Sequence, residues 1–284
     1  MVTPSAFIDK TTKSYSLMGI VNVTPDSFYD GGRFCAVDEA IKHAHMLQEQ
    51  GADIIDIGGA SSRPGADVIS PEEELRRIVP VIKGVAEFFK GSISVDTTWS
   101  DVARRALDAG AEWINDISAG RFDKEMSSII ASSGCNVILM HSRGTPQTMQ
   151  SGPSYNNVVS DVSRELLESV ELFEKAGVEK KQILVDPGIG FAKTMAHNID
   201  LIKGIDKIVA LGYPVVIGTS RKSFIGAITG SPVEERLYGT LGSVAAAFQR
   251  GVRIFRVHDV AATSDFLRVF ASFGEQARIG SDNG

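Results

Sequence analysis

Eight short apolar, β-branched runs recur along the chain, and the stretches between them carry the spacing of amphipathic helices. The runs are LMGIVN (17–22), DIIDIG (53–58), SISVD (92–96), WINDI (113–117), VILMH (137–141), ILVDPG (183–188), PVVIGTS (214–220) and IFRVHD (254–259). Intervening segments such as PEEELRRIVPVIKGVAEFF, from Pro71, and NNVVSDVSRELLESVELFEKAG, ending at Gly177, open on helix-start residues and keep one apolar face. Strands apolar on both faces belong in a parallel sheet covered by helices, and eight right-handed crossovers close such a sheet into a (β/α)8 barrel. This predicts one α/β barrel over residues 17–275, a short extension over 1–16 that closes the barrel floor as a strand pair, and a flexible tail over 276–284. A doubly wound open sheet is the competing architecture. It is disfavoured because no GxGxxG follows the first run and no second domain is visible after residue 150.

Composition narrows the class of partner. The net charge of −6 argues against a nucleic-acid or anionic-membrane surface, since both require a basic face. The only cysteines, Cys35 and Cys135, show no metal-ligand spacing and read as packing residues in a reducing compartment. No run approaches 18 apolar residues, and the first residues lack the apolar core of a secretion signal, so a cytoplasmic protein is expected.

In a barrel, chemistry sits at the C-terminal ends of the strands. Those ends carry Asn22, Asp56, Asp96, Asn115 with Asp116, His141, Asp186, Ser220 with Lys222, and Arg256 with His258. Period-two alternation puts Ile20 with Asn22, Asn115 with Ile117, and Arg256 with His258 on common faces lining the mouth. Arg63, Arg143, Lys193, Arg221, Lys222 and Arg256 add cations at the same end of an acidic chain, a pattern that focuses an anion. Surface salt bridges are the expectation for Arg143 and Lys193. Asp96 and Asp186 follow apolar runs, where an unpaired carboxylate is costly. Either a ligand with an amidine-like edge, as on 2-amino-4-oxo pteridines and guanines, or pairing with Lys222 and Arg256 would satisfy them. A protein-caged metal is not expected; a Mg²⁺ shared between the Asn22 oxygen and a substrate diphosphate is compatible with the first strand end.

These motifs resemble the dihydropteroate synthase family of the bacterial folate pathway: MGIVNVTPDSFYDGG (18–32), DIGGASSRPGA (56–66), SVDT (94–97), WINDIS (113–118), MHSRGTP (140–146), DPGIGFAKT (186–194), GTSRKSFIG (218–226) and RVHDV (256–260). The resemblance implies condensation of (7,8-dihydropterin-6-yl)methyl diphosphate with 4-aminobenzoate, with Mg²⁺ as cofactor, sulfonamides as competitors and a homodimer as the assembly. Carried over by motif, Asp96, Asn115, Asp186 and Lys222 hold the pterin, with Ile20, Ile117, Met140 and Phe191 packed around it. Asn22 meets the metal, while Ser62, Arg63, Arg256 and His258 hold the diphosphate. The aminobenzoate lies near Ser62, Pro64, Phe191, Lys222 and Ser223. Asp96, Asp186, Lys222 and Arg63 are the expected catalytic group.

The chain departs from the family pattern at Ala60, where Glu is frequent, at Ser62, where Thr is usual, and at Ser142, where Met often follows the Met-His pair. Two other functions fit a pterin-binding barrel. A methyltransferase acting on methyltetrahydrofolate needs no diphosphate site, and the TPDSF and SSRPG loops argue against it. A non-catalytic paralogue would be favoured by loss of Asn22, Arg63 or Lys222, and all three are present.

Overall fold

The computed structural model describes residues 14–24, 32–61, 69–145, 147–148 and 152–274. Strand and helix alternate throughout: β1 (Ser16–Asn22), α1 (Gly32–Glu49), β2 (Ile54–Gly58), α2 (Pro71–Ala86), β3 (Ser92–Asp96), α3 (Ser100–Asp108), β4 (Trp113–Asp116), α4 (Met126–Ser133) and β5 (Asn136–Met140). The second half adds α5 (Val158–Lys175), β6 (Ile183–Asp186), α6 (Met195–Lys203), α7 (Ile205–Val209), β7 (Val216–Ile217), α8 (Ser223–Thr229), α9 (Leu237–Phe248), β8 (Ile254–Val257) and α10 (Val260–Gly274). All eight strands run parallel in the order β6-β5-β4-β3-β2-β1-β8-β7. The sheet closes between β6 and β7 through a single bridge, Val185 to Val215, with the Val185 N–H donating to the Pro214 carbonyl at 3.0 Å. The expected (β/α)8 barrel is the observed fold.

The apolar residues divide into two cores, because every strand is buried on both faces. Met18, Ile54, Trp113, Ile138, Leu184, Val216 and Ile254 point inward and fill the barrel. Their neighbours, including Leu17, Ile55, Val95, Ile114, Val137, Val185, Phe255 and Val257, point outward under the helices. Helix α2 begins where Ser70 accepts from the Glu73 N–H at 3.3 Å and Pro71 opens the first turn. Its buried stripe is Glu74, Ile78, Val81, Ile82 and Val85. Helix α5, capped by Asn157, buries Val162, Leu166, Val170 and Phe173 at helical spacing.

The seventh run is shorter as a strand than its sequence predicts. PVVIGTS yields only Val216–Ile217, since Pro214 offers no N–H and the chain after Gly218 turns toward Arg221, at φ +58°. The proposed extension and tail fall mostly on residues 1–13 and 275–284, outside the described residues. Tyr15, just inside, is buried and donates to the Ser264 carbonyl at 3.1 Å, tying the start of β1 to α10. Among the described residues, no helix is long and apolar enough to cross a membrane.

Phe173 is fully buried, whereas Leu172 beside it is 47% exposed. Phe173→Ala should therefore cost about 3–5 kcal/mol of unfolding free energy in urea, and Leu172→Ala no more than about 0.5 kcal/mol. Equal losses would contradict the orientation of α5.

Candidate active site

Parallel register brings the polar residues together at the mouth. Ile20 pairs with Asp56, Asp56 with Ser94, Gly58 with Asp96, Asp96 with Asn115, and Met140 with Asp186. Arg256 reaches across from β8. Its Nε donates to Asp56 Oδ2 at 2.6 Å and its Nη2 to Asp96 Oδ2 at 3.0 Å, while Asn115 Nδ2 donates to the same Asp56 oxygen at 3.2 Å. Asp56 is thus fully buried and orients both Arg256 and Asn115, a role missing from the sequence-derived site although its place at a strand end was visible. Gly58 sits between two oxygen-bearing side chains: a Cβ there would make ordinary contact with Asp96 Cβ at 3.5 Å and with Asn22 Oδ1 at 3.9 Å.

The opposite side of the mouth is built by the loop after β6. Asp186 Oδ1 accepts the Gly188 N–H at 2.7 Å. Gly188 has φ +66°, and a Cβ would sit 1.8 Å from the His141 carbonyl oxygen, so no side chain fits. Lys222 donates from Nζ to the Ile189 carbonyl, and its Nζ lies 4.6 Å from the centre of the Phe191 ring. Met140 and Ile20 are buried beneath, and Ile117 and Phe191 are part-exposed at the rim. His258 receives or donates a 2.9 Å hydrogen bond at Nδ1 with Ser220 Oγ, and Ser223 is exposed at the start of α8.

Several strand-end groups turn elsewhere. Asp116 accepts from the Ser118 N–H at 2.8 Å, the Ser118 hydroxyl at 2.7 Å and the Gly120 N–H at 2.6 Å, so it caps the turn after β4. Arg221 forks onto Asp259 and leaves the mouth to Lys222. Arg143 is part-exposed and pairs with Glu165, as a salt bridge was expected to do. Lys193 corrects the surface expectation: it is 4% exposed and hydrogen-bonds His141 Nδ1 at 3.0 Å and the Phe191 carbonyl at 2.9 Å. Ser62, Arg63 and Pro64 lie outside the described residues. The non-glycine residues at positive φ among the described residues, Ala119, Ala192 and Arg221, all follow strands at this end of the barrel, where local strain accompanies function.

The model of the family described as pterin-binding enzymes matches residues 18–258. The chain belongs to that family. Within it, the chain groups with the dihydropteroate synthases, transferases of folate biosynthesis. It is 44% identical over 254 residues to dihydropteroate synthase of Synechocystis sp., covering 89% of this chain and 88% of the relative. Xanthomonas albilineans dihydropteroate synthase with 4-aminobenzoic acid superposes with a TM-score of 0.87 at 43% identity, over 92% of this chain and 93% of that one. The Yersinia pestis dihydropteroate synthase in complex with a sulfonamide drug gives a TM-score of 0.87 at 38% identity, over 92% and 95%.

Burial and crowding set protonation across this mouth. Asp96 is pushed up to about 7 by burial, against the pull of Arg256 and with added repulsion from Asp56, Asp116 and Asp186. Asp186 is likewise raised by burial, with Lys222 opposing first. Burial brings Lys222 down to about 8, partly offset by Asp186. Glu74, buried on α2, is raised to about 7 by burial, opposed by a hydrogen bond with Thr97 and reinforced by Asp96. Its Oε1 has no hydrogen-bond partner among the described residues. The signal that could have found it is its phase, since Glu74, Ile78, Val81 and Val85 share one helical stripe.

The folded state therefore keeps on Glu74 a proton that the unfolded chain releases above its ordinary value of 4.5. Raising the pH from that value through about 7 destabilises the fold, by on the order of 3 kcal/mol from this group. Glu74→Gln should lose that share of the decline in unfolding free energy between pH 5 and pH 8. Parallel urea curves for variant and wild type across this range would remove Glu74 as the source.

Proposed function

We propose that this barrel condenses (7,8-dihydropterin-6-yl)methyl diphosphate with 4-aminobenzoate in the cytoplasm, giving 7,8-dihydropteroate and diphosphate. The observation that carries the reading is the mouth itself: Asp96, Asn115 and Asp186 face the cations Lys222 and Arg256 across one opening. A 2-amino-4-oxo pterin edge offers N–H donors to carboxylates that the fold otherwise buries at a cost. The catalytic assignment is Asp96, Asp186, Lys222 and Arg63. Ile20, Ile117, Met140 and Phe191 pack the ring, while Ser62, Arg63, Arg256 and His258 take the diphosphate. Ser62, Pro64, Phe191, Lys222 and Ser223 border the aminobenzoate.

The C–O bond to the departing diphosphate breaks, and positive charge develops on a methylene conjugated with the pterin. Asp96 and Asp186 stabilise that charge, and Arg256 with Arg63 stabilises the leaving anion. The aromatic amine, a weak nucleophile, then forms the C–N bond and loses its proton to diphosphate or water. No side chain is assigned as general base.

Asn22 suits a Mg²⁺ that keeps most of its waters. It presents one hard oxygen beside Gly58 and the Asp96 side chain, and among the described residues no group of three or more His, Cys, Asp or Glu is placed to cage an ion. When bound, Mg²⁺ would neutralise charge on the diphosphate. Sulfonamides compete with aminobenzoate in this reading. The assembly is a homodimer in the same reading.

Protein mixed with Mg²⁺, pterin diphosphate and 4-aminobenzoate should release dihydropteroate and diphosphate in equal amounts. Asp96→Asn, Asp186→Asn and Lys222→Ala should each lower turnover at least about 100-fold while remaining folded by circular dichroism. Near-normal turnover in all three would refute the site. Aminobenzoate should bind by calorimetry only once diphosphate is present. Equal binding with and without diphosphate would exclude this order.

A further inference from the structure

A buried polar chain lies between the ends of β5 and β6 and helix α5, behind the groups assigned above. Its anchor is Glu165, which accepts from Arg143 Nε at 3.2 Å and from Arg143 Nη2. The ion pair with Arg143 holds Glu165 ionised, so its carboxylate only accepts. His141 Nε2, 3.0 Å away, must then carry the proton and donate. That leaves His141 Nδ1 a bare acceptor, 3.0 Å from Lys193 Nζ, which donates. Lys193 sends another hydrogen bond, of 2.9 Å, to the Phe191 carbonyl. His141 is 1% exposed.

What this chain grips is a loop that would not hold its shape unaided. Gly188, Gly190 and Ala192 have φ of +66°, +84° and +50°, and Ala192 takes that region with a side chain. The Gly190 N–H donates to Asn198 Oδ1 at 2.7 Å, and Tyr155 donates its hydroxyl to the Ala192 carbonyl at 3.0 Å. The loop in turn offers the Ile189 carbonyl to Lys222 and sets the Phe191 ring beside the same ammonium. An apolar residue at 193 would fill the space without burying an amine, which burial pushes well below its ordinary pKa and which has no carboxylate hydrogen-bonded to it among the described residues.

We propose that His141 and Lys193 are positioning residues: the Glu165–His141–Lys193 chain pins the Phe191 carbonyl and fixes the Gly188–Lys193 loop where it presents Phe191 and Lys222 to the pterin. The ligand half of this proposal rests on the pterin reading above; the loop half rests on geometry alone. No contact of either side chain with substrate is invoked, only control of the loop.

Two variants test it by amide hydrogen exchange and by calorimetry with pteroic acid as the probe. Lys193→Met keeps the length and removes every donor. His141→Asn keeps an oxygen close to the place of Nδ1 while releasing Glu165, and it serves if Lys193→Met does not fold. In Lys193→Met, exchange at Gly188–Lys193 should rise at least about tenfold with the β-strand amides unchanged. The dissociation constant for pteroic acid and the KM for pterin diphosphate should each rise about tenfold, with a smaller change in kcat. His141→Asn should move the same quantities about threefold. Loop exchange and pteroic acid affinity within twofold of wild type in a folded variant would overturn the proposal. So would faster exchange spread over all strands with affinity per folded molecule unchanged, the mark of a merely structural role. Wild-type protein that fails to bind pteroic acid would refute the pterin reading, and loop exchange would still decide whether the chain pins the loop.

Discussion

One guanidinium shared between two carboxylates organises the mouth of this barrel. Arg256 enters from β8 and binds Asp56 of β2 and Asp96 of β3, so three strands are fixed relative to one another at the C-terminal mouth of the barrel. Asn115 joins through Asp56 and extends the network to β4. Desolvating three charges is costly, and their attraction recovers that cost only with good geometry. Removing one partner would leave the others uncompensated, at about 3–5 kcal/mol, which is why the network behaves as a unit.

The remaining charge is arranged around that unit. Asp186 and Lys222 occupy the other half of the mouth, on elements that share no side-chain ion pair with Arg256. Burial raises the carboxylates and lowers Lys222, so all three lie nearer to neutrality than free side chains. A bound ligand carrying N–H donors on one edge and a diphosphate at the other end supplies the missing partners for both signs at once. Electrostatic stabilisation of separating charge needs such a prearranged environment, because side chains that had to reorient during the reaction would give much of the benefit back.

Much of this was legible from period two alone. Asn115 and Arg256 face inward because strand residues two apart share a face, and the β-branched runs mark where the strands lie. The same rule explains why Met140 lines the barrel and His141, the next residue, turns toward α5. It could not show what His141 meets there, since Glu165 lies 24 positions away and contact at that distance depends on how a helix packs. Lys193 sits in a loop without periodicity, so nothing local separated a buried lysine from a surface one. Arg221 and Lys222 are adjacent cations that a positive φ turns apart, and only backbone geometry decides which enters the mouth. Glu74 was hidden by company: three successive glutamates read as a helix start, and only the third falls on the buried stripe.

The barrel is stitched unevenly. Seven neighbouring strand pairs hold continuous ladders, while β6 meets β7 through the Val185–Val215 bridge. Asp186 ends the strand on one side of that seam, and the chain beyond the other side leads within a few residues to Lys222. A cylinder with one thin join parts there first when heated. Such parting would separate Asp186 from Lys222 while the Asp56–Arg256–Asp96 knot stayed tied, so under the proposed function pterin affinity would fade with temperature before the helices began to melt.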